Sequence, residues 1–146
     1  MLRAMRVVLD TDVMVAAIRS DTGASRQLLI AALRRAYALL LSVPLAFEYE
    51  AVMSRADHLM ASRLTAVDVQ DLLDAVIMVA EQVRISFLWR PRLRDPNDDM
   101  VLETAVNGGA DLLVTFNRRD FEAASPLFSI TVCSPRDALK VMELKQ

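Results

Sequence analysis

Five short apolar segments alternate along this chain with longer stretches of helical periodicity, and that alternation constrains the fold more than any other feature. The segments are Arg6–Leu9, Ala38–Leu41, Val83–Phe87, Asp111–Thr115 and Ser129–Cys133. Each is too short and too uniformly apolar to be a half-exposed strand, which would alternate between apolar and polar residues. Between them, Val13–Arg19, Thr22–Tyr37, the run from Pro44 to Arg55, Ala66–Val83, Asn97–Asn107 and Ser134–Leu144 read as helices. In the second, Leu28, Leu29, Ala32 and Leu33 recur at helical spacing, and in the fourth Val69, Leu72, Leu73, Val76 and Ile77 do the same. Pro44 and Pro135 suit first helical turns, Ser134 suits a cap, and Gly108 and Gly109 suit a helix stop. Apolar strands joined by helices give a mainly parallel sheet covered on both faces, a three-layer α/β/α sandwich. With 146 residues, 54% apolar and 25% charged, the chain is expected to form one globular domain over 1–146.

Several chemistries fall away on composition. There is one cysteine, Cys133, and one histidine, His58. No internal disulfide or Cys-rich zinc site can form, and any His-dependent nucleophilic mechanism would hang on His58, which has no nucleophile near it in sequence. Cys133 reads as a small buried residue at a strand end. No Gly-rich phosphate loop is present. A formal net charge of −2 argues against nucleic-acid binding by bulk charge but leaves room for a local basic patch or a bound cation. No apolar run is long enough to span a bilayer, and MLRAMRVVLD lacks the apolar region of a signal peptide, so a cytoplasmic address without membrane contact is expected.

Four acidic places carry the chemical signal. They are LDTD with Asp10 and Asp12; LSVPLAFEYEAVMSR with Glu48 and Glu50; RDPNDDMVLETA with Asp95, Asp98, Asp99 and Glu103; and LLVTFNRRDF with Thr115, Asn117 and Asp120. Each has an ordinary structural role as well. Asp10 or Asp12 can cap a helix, Asp95 and Asp98 read first as a cap and first-turn acid before and after Pro96, Glu48 and Glu50 can face water, and Asp120 can cap a turn. Ligands of α/β sheets sit beyond the carboxyl ends of the strands, and Asp10, Thr115, Asn117 and Asp120 fall there. Carboxylates converging on one sheet edge repel unless a cation lies among them, and an all-oxygen ligand set selects Mg2+ or Mn2+, ions suited to phosphate chemistry.

In order and spacing these four segments resemble the PIN-domain nucleases, most of all the bacterial VapC-like proteins that act as toxins of toxin–antitoxin pairs. The resemblance runs from Val7 to about Ala138. It implies Asp10, Glu48, Asp99 and Asp120 as catalytic acids, with Asp10, Asp99 and Asp120 as metal ligands and Glu48 orienting or deprotonating water. Asp12, Asp98, Thr115 and Asn117 would support them. Two positions depart from the family pattern: Asp12 stands where asparagine is usual, and Asn117 where many relatives have aspartate. The implied activity is metal-dependent endonucleolytic cleavage of single-stranded RNA or DNA to a 5′-phosphate and a 3′-hydroxyl, with single-stranded RNA the expected substrate. Arg90, Arg92, Arg94, Arg118 and Arg119 are candidates for holding the strand, and Trp89 for stacking a base, with a solvated loop the equal alternative. An antitoxin partner and a homodimer are expected. An RNA-processing role without toxicity, or a non-catalytic RNA-binding module, are the competing readings. A DxD phosphatase is disfavoured because its motif needs a lysine ahead of the late acids, and Lys140 and Lys145 come after everything. Response-regulator receivers fail on the same ground.

Overall fold

The computed structural model describes residues 4–86, 96–122 and 128–144. Its strands are Arg6–Leu9 (β1), Ala38–Leu41 (β2), Glu81–Gln82 (β3), Leu112–Val114 (β4) and Thr131–Cys133 (β5). The helices among these residues are Thr11–Arg19 (α1), Ala24–Leu33 (α2), Val43–Met53 (α3), Ala56–Ser62 (α4), Ala66–Val79 (α5), Pro96–Gly108 (α6), Arg118–Glu122 (α7) and Pro135–Val141 (α8). Local chemistry sets many of the ends. The Ser42 hydroxyl accepts from Leu45 N with Pro44 in the first turn of α3, and Ser134 does the same for Asp137 N at the start of α8. Thr65 and Asp68 form a reciprocal capping box at α5. Helix α6 ends in a Schellman turn: Gly109, at φ +62°, donates to Val106 O and Ala110 donates to Ala105 O.

The five strands pair in the order β3-β2-β1-β4-β5, every pair parallel. Two crossings lead from β1 to β2 to β3, and the chain then turns back through α6 to β4 and through α7 to β5; parallel crossovers of this kind are right-handed as a rule. Crossings of one hand that advance in opposite directions put their helices on opposite faces. The expected three-layer sandwich is the result, with α6 lying on β1, β2 and β4 on one face and α1 and α2 packed together on the other. Val7, Val8, Leu9, Leu39, Leu40, Leu112, Leu113 and Val114 form the buried middle of the sheet. The direction of winding reverses between β1 and β4, and in open α/β sheets the carboxyl ends of strands at such a reversal are where ligands bind. Leu9 is in register with Val114, so the next residues, Asp10 and Thr115, emerge side by side there.

Three boundaries differ from the sequence reading. The third strand is the polar pair Glu81–Gln82, not Val83–Phe87; Val83 only adds a hydrogen bond to Leu41 O at 2.8 Å. Because β3 is an edge strand with exposed side chains, apolar content is a poor guide to its position. The helix expected to run from Pro44 to Arg55 stops at Met53, and a separate α4 follows, carrying His58. A five-residue helix, α7, follows β4 where no helix was expected and Asp120 was read at most as capping a turn. Cys133 is buried at the end of β5, as expected.

Candidate active site

Asp10 begins the site because of where β1 ends. Its own N–H completes the sheet by donating to Val114 O at 2.9 Å, and its side chain caps α1, Oδ1 accepting from Thr11 N at 2.7 Å. The cap reading and the site reading therefore describe the same carboxylate. The other oxygen, Oδ2, accepts from the Thr115 hydroxyl at 2.7 Å. Thr115 is wholly buried and Asp10 nearly so. The Tyr49 hydroxyl donates to Leu9 O, fastening α3 to the strand end just before Asp10.

Asp12 sits in the first turn of α1, yet its hydrogen bonds go to the β4–α7 connection. Oδ2 accepts from Phe116 N at 3.1 Å and from Asn117 Nδ2 at 3.1 Å. Asn117 N in turn donates to the Thr115 hydroxyl oxygen at 2.9 Å. The four residues 10, 12, 115 and 117 are thus one hydrogen-bonded cluster. Asp120, on α7, is half-buried, and its charge acts on Asp10.

Burial pushes the Asp10 carboxyl above its ordinary value, the hydrogen bonds from Thr115 and Thr11 working against that shift and the charge of Asp120 adding to it. Asp12 is pushed up to about 7, first by burial and then by the neighbouring Asp10. Two adjacent acids that resist ionisation form a poor site for an anion and a good one for a cation.

Asp99 lies in the first turn of α6. A helix linking parallel strands runs antiparallel to them, so its first turn reaches the same carboxyl edge as Asp10. Asp99 is buried, as is Glu103 one turn further on, at i+4 on the same face. Asp99 Oδ1 and Asp12 Oδ1 are buried without a hydrogen-bond partner among the described residues. Glu48 is half-buried on α3 next to Tyr49, while Glu50 is exposed. No hydrogen bond links Glu48 or Asp99 to the Asp10 cluster among the described residues, and no three acidic side chains there are already gathered closely enough to hold an ion. Arg118 and Arg119 are exposed on α7 beside the cluster. Trp89, Arg90, Arg92, Arg94 and Asp95 lie outside the described residues, as does the side chain of Asp98.

The donor set fits a hard divalent cation. All candidate ligands are carboxylate oxygens, two of those oxygens are buried and unsatisfied, and the Asp10–Asp12 pair is held above its usual range by burial and by neighbouring carboxylate charge, both of which a bound cation would offset. The burial of Glu103 was the feature hardest to foresee. Its i+4 relation to Asp99 was visible in the sequence, but periodicity alone does not distinguish the buried face of a mixed helix such as α6.

A search of curated proteins found no match to the chain. Among solved structures, the fold is similar to a chain in the crystal structure of VapBC2 from Rickettsia felis bound to a DNA fragment from their promoter. The TM-score is 0.62 at 18% identity, covering 89% of this chain and 98% of that one. At that identity the likeness concerns the fold alone. Residues 6–119 match the family described as PIN domain, a span that includes β1, β4, Asp10, Asp12, Thr115 and Asn117. With that match over most of its length, the chain belongs to the PIN domain family.

Proposed function

We propose that the protein is a divalent-metal-dependent endoribonuclease acting on single-stranded RNA, and the toxin half of a toxin–antitoxin pair. The observation that carries the catalytic part is the pairing of buried Asp10 with half-buried Asp12 at the switch point of the sheet, both held above their ordinary titration range beside Thr115 and Asp120. Asp10, Asp99 and Asp120 would hold Mg2+ or Mn2+, with Asp12 adding charge beside them. Such an ion, when bound, lowers the pKa of water and neutralises charge building on a phosphoryl oxygen. The chain supplies the rest. Thr115 keeps Asp10 Oδ2 fixed by its hydrogen bond, so that this carboxylate need not reorganise during the reaction. Glu48 takes the proton of the attacking water. Arg118 offers a planar guanidinium to a phosphate of the strand. Attack on phosphorus breaks the bond to the 3′ oxygen, leaving a 3′-hydroxyl and a 5′-phosphate.

The toxin part is supported by family membership and by the fold shared with a chain of a VapBC2 assembly. A groove of about 400 Å3 between α3 and α5 offers a surface for a protein partner, with Phe47 and Ile77 exposed along it.

Cleavage of single-stranded RNA with Mg2+ or Mn2+ tests the catalytic reading. Asp10→Asn and Asp99→Asn are each expected to lower the rate at least about a hundredfold, the scale on which positioned acid and base groups act. Equal rates for the wild type and both variants would sink the metal-nuclease reading. Growth arrest on expression, relieved by Asp10→Asn, is expected of a toxin; cleavage without arrest would make the protein a processing nuclease instead.

A further inference from the structure

Between the buried end of β4 and the buried Phe121 of α7 stands one large aromatic side chain turned to solvent. Phe116 is 55% exposed, whereas Thr115 before it and Phe121 after it are fully buried. The backbone that carries the ring is held at three consecutive residues. Thr115 N donates to Cys133 O at 2.9 Å, Phe116 N to Asp12 Oδ2 at 3.1 Å, and Asn117 N to the Thr115 hydroxyl oxygen at 2.9 Å. Asn117 Nδ2 closes the network on the same Asp12 oxygen. Because that backbone is already held, binding at the exposed ring costs side-chain freedom but little backbone freedom. Its chain neighbours on the other side are the exposed Asn117, Arg118 and Arg119.

An exposed aromatic residue followed closely in the chain by two exposed arginines, next to acids that favour a cation, matches the needs of an unpaired nucleotide. The ring stacks on a base and the arginines meet its phosphates. Bases inside a duplex are already stacked and cannot take such a contact, so the arrangement selects a single strand. We propose that Phe116 is a base-stacking platform that holds the nucleobase next to the phosphate cleaved at Asp10. This rests on the nuclease reading and deepens it: Phe116 sets the strand's register, and Asp12 is the positioning residue that fixes the platform's backbone.

The test uses the full chain, short single-stranded RNAs with 2-aminopurine placed at successive positions, and the variants Phe116→Leu, Phe116→Tyr and Phe116→Trp. In the wild type, fluorescence at one position is expected to be quenched by stacking. Phe116→Leu keeps an apolar side chain of similar size but has no π face. It is expected to abolish that quenching and raise KM by about tenfold, with kcat much less changed. Phe116→Tyr and Phe116→Trp are expected to restore both. Unchanged KM and quenching in Phe116→Leu, with wild-type cleavage intact, would overturn the stacking role alone. So would equal losses in all three variants, or a change of oligomeric state in Phe116→Leu by sedimentation, which would make the ring a protein contact. A wild type that neither binds nor cleaves these RNAs would overturn the nuclease reading, and the platform with it.

Discussion

Asp12 joins the end of β1 to the connection after β4. Its carboxylate holds the backbone of Phe116 and the side chain of Asn117, and it lies beside Asp10 in a setting that pushes it up to about 7. In the unfolded chain the same carboxyl titrates near 4. The folded protein therefore keeps a proton that the unfolded chain has lost, and the stability tied to that proton is present below about pH 4 and drains away as pH rises to about 7. The raised Asp10 acts in the same direction. Asp12 is only partly buried, and solvent screening reduces the effect to about 1–2 kcal/mol. Thermal unfolding should show the melting temperature falling between pH 5 and pH 8, and Asp12→Asn should flatten much of that fall. Adding Mg2+ at pH 8 should raise the melting temperature of the wild type more than that of Asp12→Asn, because the ion stabilises the ionised pair. A flat wild-type profile would contradict the burial of this acid. The sequence made Asp10 and Thr115 easy to pick out, since both follow strand-like runs. It did not reveal that Asp12 reaches Phe116, because that contact joins residues brought together only by the pairing of β1 with β4.

At the scale of elements, α3 and α6 are joined through a pair of hydroxyls. Ser42 caps α3 and lies 2.7 Å from the Thr104 hydroxyl, which itself donates to Met100 O within α6. Thr104 has spent its proton, so Ser42 donates to it while accepting from Leu45 N. Ser42, Leu45 and Thr104 are all buried, and Ser42→Ala would leave the Leu45 N–H without a partner away from water. A loss of about 1–2 kcal/mol is expected in denaturant unfolding, with Ser42→Thr recovering most of it. Unfolding of Ser42→Ala at the wild-type midpoint would show that the cap carries no weight. The helix starts written in Ser-x-Pro and Ser-Pro were legible because their chemistry is local. β3 was not, because an edge strand is set by the neighbour it pairs with: Leu40 and Leu41 take Glu81 and Gln82 as partners, whatever their side chains. Helices as short as α4 and α7 have too few turns for periodicity to show.

The whole molecule depends on α6 lying close enough to the sheet to bring Asp99 to the edge where Asp10 emerges, and Gly108 governs that approach at the far end of the helix. A Cβ at Gly108 would stand 2.8 Å from Leu40 Cδ1 and 2.9 Å from Val83 Cγ2, both on buried side chains with little room to move. The same glycine's carbonyl accepts from Arg6 Nε at 3.0 Å and Nη2 at 2.7 Å, while Arg6 also pairs with Glu81. One arginine on β1 thus ties the end of α6 to the edge strand β3. Gly108→Ala should force the helix end away from β2 and strain these bonds, costing about 1–3 kcal/mol by overpacking. Gly109 provides the control. Nothing lies within 4 Å of a Cβ there, so Gly109→Ala meets only the backbone cost of its positive φ, about 1–2 kcal/mol. The two causes separate on a third substitution. Asn tolerates the left-handed region, so Gly109→Asn should recover part of the loss, whereas Gly108→Asn should be no better than Gly108→Ala, because steric crowding is indifferent to φ preference. Urea midpoints of the four variants measure this directly. Recovery at 108 as well as at 109 would mean that the packing of α6 against β2 is not what requires a glycine there.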